Sequence, residues 1–241
     1  MNSTSPSNSN TNLAQGENLV LLGGGGFALE VICYLLDISS SQYPLNIAGI
    51  VDHGDPRFDE VEKILGHSIN HWEYFESCDL ANAKFVATVG SPVRREKIRH
   101  EVATAGAELF TIIHPTAYVA KSAVIGAGSI LGPFAFVGPM ATLGENTVLN
   151  TYASVGHNAE VGPSSNLSPY AALNGAAKCG RAAFLGSHAI IAPTKILGSN
   201  SKLSAGSILT KDTEDNSLAA GNPAKSRVMF HPLPNLDQQQ K

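Results

Sequence analysis

The sequence predicts two unlike halves: an α/β unit with a parallel sheet, then an all-β coil of parallel strands. Three observations carry this reading. An apolar residue recurs every six positions from Ile113 to Leu209; a run of four glycines joins a buried strand to an amphipathic helix; and the periodicity changes near residue 110.

The coil rests on the first of these. Ile113, Val119, Ile125, Leu131, Val137, Leu143, Leu149, Val155, Val161, Leu167, Leu173, Cys179, Leu185, Ile191, Leu197, Leu203 and Leu209 are all apolar, without a slip. Gly often follows, as at Gly126, Gly132, Gly138 and Gly144, and a small residue often stands two places before, as at Ala135, Ala141 and Ala153. A helix repeats near 3.6 and an ordinary strand at 2, so neither gives a period of six. A triangular coil does: each six-residue unit is one flat side, the large apolar residue points inward, and the small ones let the corner close. Hexapeptide periods of this kind mark a parallel β-helix, here of about five coils.

The first half reads as a βαβ unit with a parallel sheet, a Rossmann-like arrangement. Asn18–Leu22 is a buried strand, Gly23–Gly26 a turn, and Phe27–Asp37 an amphipathic helix. Asn46–Val51 is a second strand ending at Asp52, Lys84–Val89 a third, and a helix is expected from about Pro92 to Ala105. The expected divisions are a disordered Ser/Asn-rich tail over 1–17, a Rossmann-like α/β domain over 18–110, the β-helix over 111–230 and a C-terminal tail over 231–241.

Composition narrows the function classes. Of the 241 residues 43% are hydrophobic, enough for a sizeable core, and the net charge of -4 with no basic patch argues against nucleic acid and anionic membranes. No apolar run approaches membrane-spanning length, and residues 1–17 hold no Lys or Arg ahead of an apolar stretch, unlike a secretory signal. Three scattered thiols, Cys33, Cys78 and Cys179, fit a reducing cytoplasm better than a disulfide framework.

Glycines after a buried strand let backbone N–H groups approach a phosphate at a helix N-terminus. Gly23, Gly25 and Ala28 meet the looser GxGxxA pattern, with Asp52 following at the end of the second strand. A mononucleotide or nucleotide-sugar suits this short unit better than a dinucleotide, which normally requires a longer sheet. A tight strand-to-helix turn without a ligand is the alternative. Arg94, Arg95 and Lys97 follow the third strand and either neutralise phosphate or form a solvated helix face. Asp52 either bonds a ribose or base or caps a turn.

On the coil, His157 in Ser154-Val-Gly-His-Asn158 stands two places after the inward Val155 and so belongs on an outward corner. An imidazole there is suited to removing a proton near neutral pH. His114, in Ile113-His-Pro-Thr-Ala117, reads as part of a fixed entry turn. A metal site would need three imidazoles converging on one ion. No coil His has a partner a few residues away, and His157 and His188 are far apart in the chain, so no metal is expected.

Taken together, the Gly-rich turn, the strand ending in Asp52, Val89-Gly90 with Arg94, the Ile113-His-Pro-Thr-Ala junction, Val155-Gly-His157 and the closing Ala220-Gly-Asn-Pro-Ala-Lys225 resemble the sialic-acid O-acetyltransferase-like (NeuD/PglD-type) family. Its bacterial members include hexapeptide-repeat acetyltransferases of nucleotide-linked amino-sugars. The resemblance runs from about Asn18 to Val228 and implies a left-handed coil, where general crossover rules favour the right hand. It implies an acetyl-CoA-dependent N-acetyltransferase acting on a nucleotide-linked 4-amino-4,6-dideoxy sugar, as a cytoplasmic homotrimer with sites between adjacent helices. His157 would be the general base beside Asn158. Gly25, Gly26, Phe27, Asp52, His53, Gly90 and Arg94 would hold the nucleotide-sugar. Asn166, Ser187 and Ala205 would fall along the acetyl-CoA groove, with His188 either lining that groove or structural. Three positions depart from the family's pattern: Phe27 replaces the His that ends the Gly-rich loop, Asn158 an acid, and Asn166 a second His. A sugar O-acetyltransferase and a non-catalytic hexapeptide scaffold are the alternatives. The scaffold has no use for the Gly-rich loop or the His157 corner.

Overall fold

A computed structural model describes residues 17–41, 44–52, 57–78, 83–229 and 231–232. Most of both expected tails, and His53, lie outside the described residues.

The first half is built on β1 (Glu17–Leu22), α1 (Gly26–Ser41), β2 (Leu45–Val51), α2 (Phe58–Leu65), β3 (Asn70–Trp72), β4 (Ala83–Ala87) and α3 (Pro92–Thr104). The four strands are parallel in the order β3-β2-β1-β4. β1 is central, and its unbroken apolar run suits a strand covered on both faces. Leu19 and Leu21 join Val31, Ile32, Leu35 and Ile38 of α1 in one core, whereas Val20 and Leu22 join Phe85 and Val102 of α3 in another. Ser91 starts α3, its hydroxyl accepting from the Arg94 N–H, and Pro92 follows at the first turn. The strands and helices expected from sequence are present with ends shifted by a few residues; α2 and β3 had no counterpart in it.

The second half contains seventeen two-residue strands, from Ile112–Ile113 to Ile208–Leu209, in three parallel sheets of a left-handed β-helix. Each strand pairs with its counterparts on the turns before and after, as Val148 does with Ile130 and Asn166. From Leu131 onward every member of the inward row is at most 3% exposed. The first three depart from expectation: Ile113 is 37% exposed and Val119 and Ile125 are half-buried, because no earlier coil stacks on this end. The small residues do not form the corners. Ala135, Ala141, Ala153, Ala171 and Ala189 are buried within the coil's own core as a second inward row.

The corners are made by residues in left-handed backbone that recur once per repeat from Gly128 to Gly206, among them Phe134, Tyr152, Asn158, Tyr170 and His188. Such a conformation costs an L-residue roughly 1–2 kcal/mol. A hydrogen bond to the coil before offsets it: Tyr152 N–H donates to Pro133 O at 3.0 Å, Asn158 N–H to Pro139 O at 3.0 Å and His188 N–H to Pro169 O at 3.1 Å. An antiparallel hairpin, Ser217–Gly221 with Ala224–Val228, closes the end of the sheet on Lys202–Leu203.

The α/β unit docks on one face of the coil. Ile112, Ile130 and Val148 point outward from that face, yet are fully buried with α1 and Phe110. Tyr34 lies within 3.3 Å of Asn150 Oδ1, and His114 Nε2 within 3.0 Å of Asp37 Oδ2. Arg95 is wholly buried and donates to Ala87 O at 2.6 Å, Val89 O at 3.1 Å, Asn146 O at 2.8 Å and Asn146 Oδ1. Asn146 Nδ2 returns a bond to Arg95 O at 2.7 Å. This corrects both readings of Arg95, as a phosphate neutraliser and as part of a solvated helix face: its guanidinium bolts α3 to the coil. Burial pulls it down to about 9, so it stays charged at neutral pH.

Beside it, Glu96 accepts from Arg181 at 2.8 Å and Arg99 at 3.1 Å. Burial pushes its carboxyl up, but the bonds from Arg99 and Arg181 outweigh this and hold it below the usual range.

The interface can be tested at both residues. Arg95→Leu leaves several buried carbonyls without donors and should lower stability to urea by about 3 kcal/mol. A loss under ~0.5 kcal/mol, ordinary for a surface change, contradicts the bolt. Because the folded Glu96 carboxyl titrates below its ordinary 4.5, its contribution is complete above that pH and fades as pH falls through the lower folded value. Glu96→Gln should therefore be less stable than the parent protein at pH 7, with the gap closing below pH 4.5; a gap independent of pH would exclude the ion pair as its cause.

Candidate functional site

The chain order places a crevice at the carboxyl ends of β1 and β4, where the strand order reverses, the usual ligand position in an open parallel sheet. Gly23 sits there with φ of 118°, and a Cβ on it would lie 2.6 Å from Val89 Cγ1, so only glycine fits. Its carbonyl accepts from Thr88 Oγ1 at 2.6 Å, while Gly24 N–H donates to Asp52 Oδ2 at 2.5 Å. Asp52 thus braces the glycine loop, as the turn-capping alternative expected. Gly25 and Gly26 are exposed, with nothing within 4 Å of where a Cβ would stand. Phe27 turns instead toward the α1 core, where it is partly buried.

A cavity of about 130 Å³ opens between the strand ends and α3. Leu22, Val51, Phe75 and Ile98 give it apolar walls, and Asp52, Arg94, Lys97 and Glu101 give it charge. Arg94 is exposed, and Lys97 pairs with Glu101 at 3.4 Å. Next to the lining residue Val89 the chain meets the coil: Gly90 O accepts from Asn166 Nδ2 at 2.7 Å. Asn166 is 7% exposed and its Oδ1 is buried with no hydrogen-bond partner.

His157 lies elsewhere. It is exposed at the corner opposite the docked face, just before the left-handed Asn158. Its Nδ1 is 3.1 Å from Asn158 Oδ1. An amide oxygen only accepts, so this bond puts the proton on Nδ1 and leaves the Nε2 lone pair available. On the next coil a Cβ at Gly175 would stand 2.4 Å from Nε2. Gly175 is therefore what lets the ring lie flat against the coil. Sequence reasoning missed it, although it stands one full turn beyond His157, as Leu173 stands one turn beyond Val155.

Ser187 and Ala205 occupy a third location, the adjoining corner on successive coils, next to His188 and Gly206. Within one chain the structure thus joins Gly90 to Asn166 on the docked face and brings Asp52 and Arg94 to the cavity of the α/β unit, while His157 and the Ser187–Ala205 pair sit on separate corners. Cys179 is in the inward row, where burial pushes its thiol up to about 12. Among the described residues no group of three or more His, Cys, Asp or Glu is placed to hold a metal ion, and no helix is long and apolar enough to cross a membrane.

The sequence matches no protein-family model and no curated protein. Solved structures do match. A histidine-to-asparagine variant of perosamine N-acetyltransferase from Caulobacter crescentus, in complex with CoA and GDP-perosamine, is 27% identical with a TM-score of 0.76, over 87% of this chain and 96% of that one. The acetyltransferase domain of PglB from Neisseria gonorrhoeae, in complex with acetyl coenzyme A, is 26% identical with a TM-score of 0.75, over 88% of this chain and 100% of that one. WeeI from Acinetobacter baumannii, 20% identical with a TM-score of 0.76 over 88% of this chain and 100% of that one, shares the fold. The chain has the architecture of the hexapeptide-repeat nucleotide-amino-sugar acetyltransferases, the type that its sequence resembles.

Proposed function

We propose that the chain is an acetyl-CoA-dependent N-acetyltransferase whose acceptor is the amine of a nucleotide-linked 4-amino-4,6-dideoxy sugar. The observation that carries the reading is His157: an exposed imidazole with Nδ1 tied to Asn158 and Nε2 laid over Gly175. It is supported by likeness, over nearly nine-tenths of the chain, to a perosamine N-acetyltransferase solved with CoA and GDP-perosamine.

In this reading the cavity beside Asp52 and Arg94 receives the nucleotide and the coil receives acetyl-CoA. Nε2 takes a proton from the neutral sugar amine as its nitrogen adds to the thioester carbonyl. A coil N–H such as that of Gly175 steadies the oxyanion. Collapse expels the CoA thiolate, which takes the proton back from the imidazolium, leaving amide and free thiol. Asn158 orients the ring but carries no charge to stabilise the imidazolium. No cysteine stands near His157 in sequence and Cys179 is buried in the inward row, so the reading takes transfer as direct rather than through an acyl-enzyme.

The protein acts as a cytoplasmic homotrimer. The cavity belongs to the α/β unit and His157 to the corner opposite the face on which that unit docks, so in this reading a sugar held by one copy meets the imidazole of its neighbour. In that arrangement Asn166, Ser187 and Ala205 border the acetyl-CoA path between copies.

Thiol release from acetyl-CoA, followed across nucleotide amino-sugars and free sialic acids, tests the reading. Turnover with a nucleotide 4-amino-sugar is expected, and turnover confined to sialic acids would assign O-acetylation. His157→Ala should keep the fold and lower kcat about 10²–10⁴-fold with the KM for acetyl-CoA nearly unchanged. More than a tenth of parental turnover removes His157 as the base. Gly175→Ala, at a position outside left-handed backbone, should also fold and lower kcat by about tenfold or more through the displaced ring. Unaltered kcat in that variant means the ring does not work from this position.

A further inference from the structure

Four rings stack down one corner of the coil, one per turn: Phe134, Tyr152, Tyr170 and His188, with centroids 4.9, 4.9 and 4.8 Å apart. Stacking occupies the faces of the middle rings and leaves their edges outward, so Tyr152 is 45% and Tyr170 49% exposed. Among the described residues neither tyrosine hydroxyl has a hydrogen-bond partner.

This corner borders the sheet that contains Phe136–Val137, Ser154–Val155, Ala172–Leu173, Ile190–Ile191 and Ile208–Leu209, and the His157 corner borders the same sheet on its other side. The segments that form the sheet and its two corners, 132–140, 150–158, 168–176, 186–194 and 204–210, contain no Asp, Glu, Lys or Arg. Each segment between them, 141–149, 159–167, 177–185 and 195–203, contains at least one. One side of the coil is thus free of charge along most of its length and lined with exposed rings, the character of a surface that another protein covers. Its two edges are unlike, rings on one and His157 on the other. Such a side suits a heterologous ring of copies, in which one edge of a copy meets the other edge of the next.

Height then selects a residue. In a closed ring about an axis parallel to the coil, equivalent residues stand level. His157 Nε2 lies beside the Cβ position of Gly175. With eighteen residues per turn and about 4.8 Å between turns, Tyr170 differs from Gly175 in height by roughly 1 Å, His188 by ~3–4 Å and Tyr152 by ~6 Å. The rung that faces a neighbour's Nε2 is therefore Tyr170.

We propose that Tyr170 of one copy belongs to the catalytic site of the next, where its hydroxyl oxygen accepts one N–H of the attacking sugar amine. The inference rests on the acetyl transfer and the homotrimer proposed above and adds a residue to that site. A neutral primary amine has two N–H bonds and one lone pair. With one N–H on Nε2 and the other on Tyr170 Oη, the lone pair is aimed at the thioester carbonyl. Orientation of this kind acts on kcat.

Tyr170→Phe removes only the hydroxyl and keeps the ladder, since Phe134 holds the same left-handed corner. It should leave Tm, the mass of the trimer and the KM for acetyl-CoA unchanged and lower kcat about tenfold. Mixed trimers then place the hydroxyl. Tyr170→Ala and His157→Ala chains, assembled together in equal amounts, form an intact site only where the tyrosine of one chain meets the histidine of another. Such a mixture should recover about a quarter of parental turnover, the share of intact sites in a randomly assembled ring, and exceed either variant alone. Parental kcat in Tyr170→Phe, or a mixture no more active than the mean of its two variants, overturns the role of Tyr170. A parent protein that is active as a monomer overturns the arrangement between copies and this inference with it. A parent that transfers no acetyl group to any sugar amine overturns the proposed function itself.

Discussion

Every feature of the second half depends on one constraint, the return of the chain to the same place after each set of three hexapeptides. The constraint is enforced by parallel ladder bonds along the flat sides and by corner N–H groups that reach a carbonyl on the preceding turn. It turns a linear sequence into columns. One column is the inward apolar row, another the buried alanines, a third the stacked rings of Phe134 to His188. His157 owes its posture to the same rule, since the residue above it in its column is Gly175 and the ring needs the space a side chain would fill.

The columns also decide where the α/β unit attaches. On the docked face the outward column begins Ile112, Ile130 and Val148, all buried, and passes to Asn166, which bonds the Gly90 turn. The next corner supplies Asn146 to Arg95 and Arg181 to Glu96. A charged bolt buried without a facing carboxylate is costly by itself, and here four carbonyl contacts satisfy it. The cavity between β1, β4 and α3 is thereby held at a fixed height on the coil. Fixed geometry is what a transfer between two separately held substrates requires.

Much of this was legible in the sequence. The inward row from Leu131 to Leu209 follows from period alone and the glycine turn from the strand-to-helix spacing, whereas spacing left Asp52 open between a ligand contact and a turn cap. What escaped reading did so for physical reasons. Arg95 stands between Arg94 and Glu96 on a helix start and looks solvated; only the position of Asn146, far along the chain on a coil corner, reveals its burial. Ile113 fits the period yet is exposed, because a terminal coil has only one neighbour. Gly175 and the docked face were within reach of the same pattern, by aligning the chain turn on turn rather than repeat on repeat. α2 has one buried residue, Val61, and its short amphipathic turn offers little for pattern to detect.

The proposed function has two substrates held at once, one in the cavity of the α/β unit and one on the coil, and reacting directly. Initial-rate kinetics with both substrates varied test this. Double-reciprocal lines that intersect, the pattern of a ternary complex, are expected. Parallel lines, with a burst of free thiol before the acceptor is added, would mean an acyl-enzyme and would contradict direct transfer.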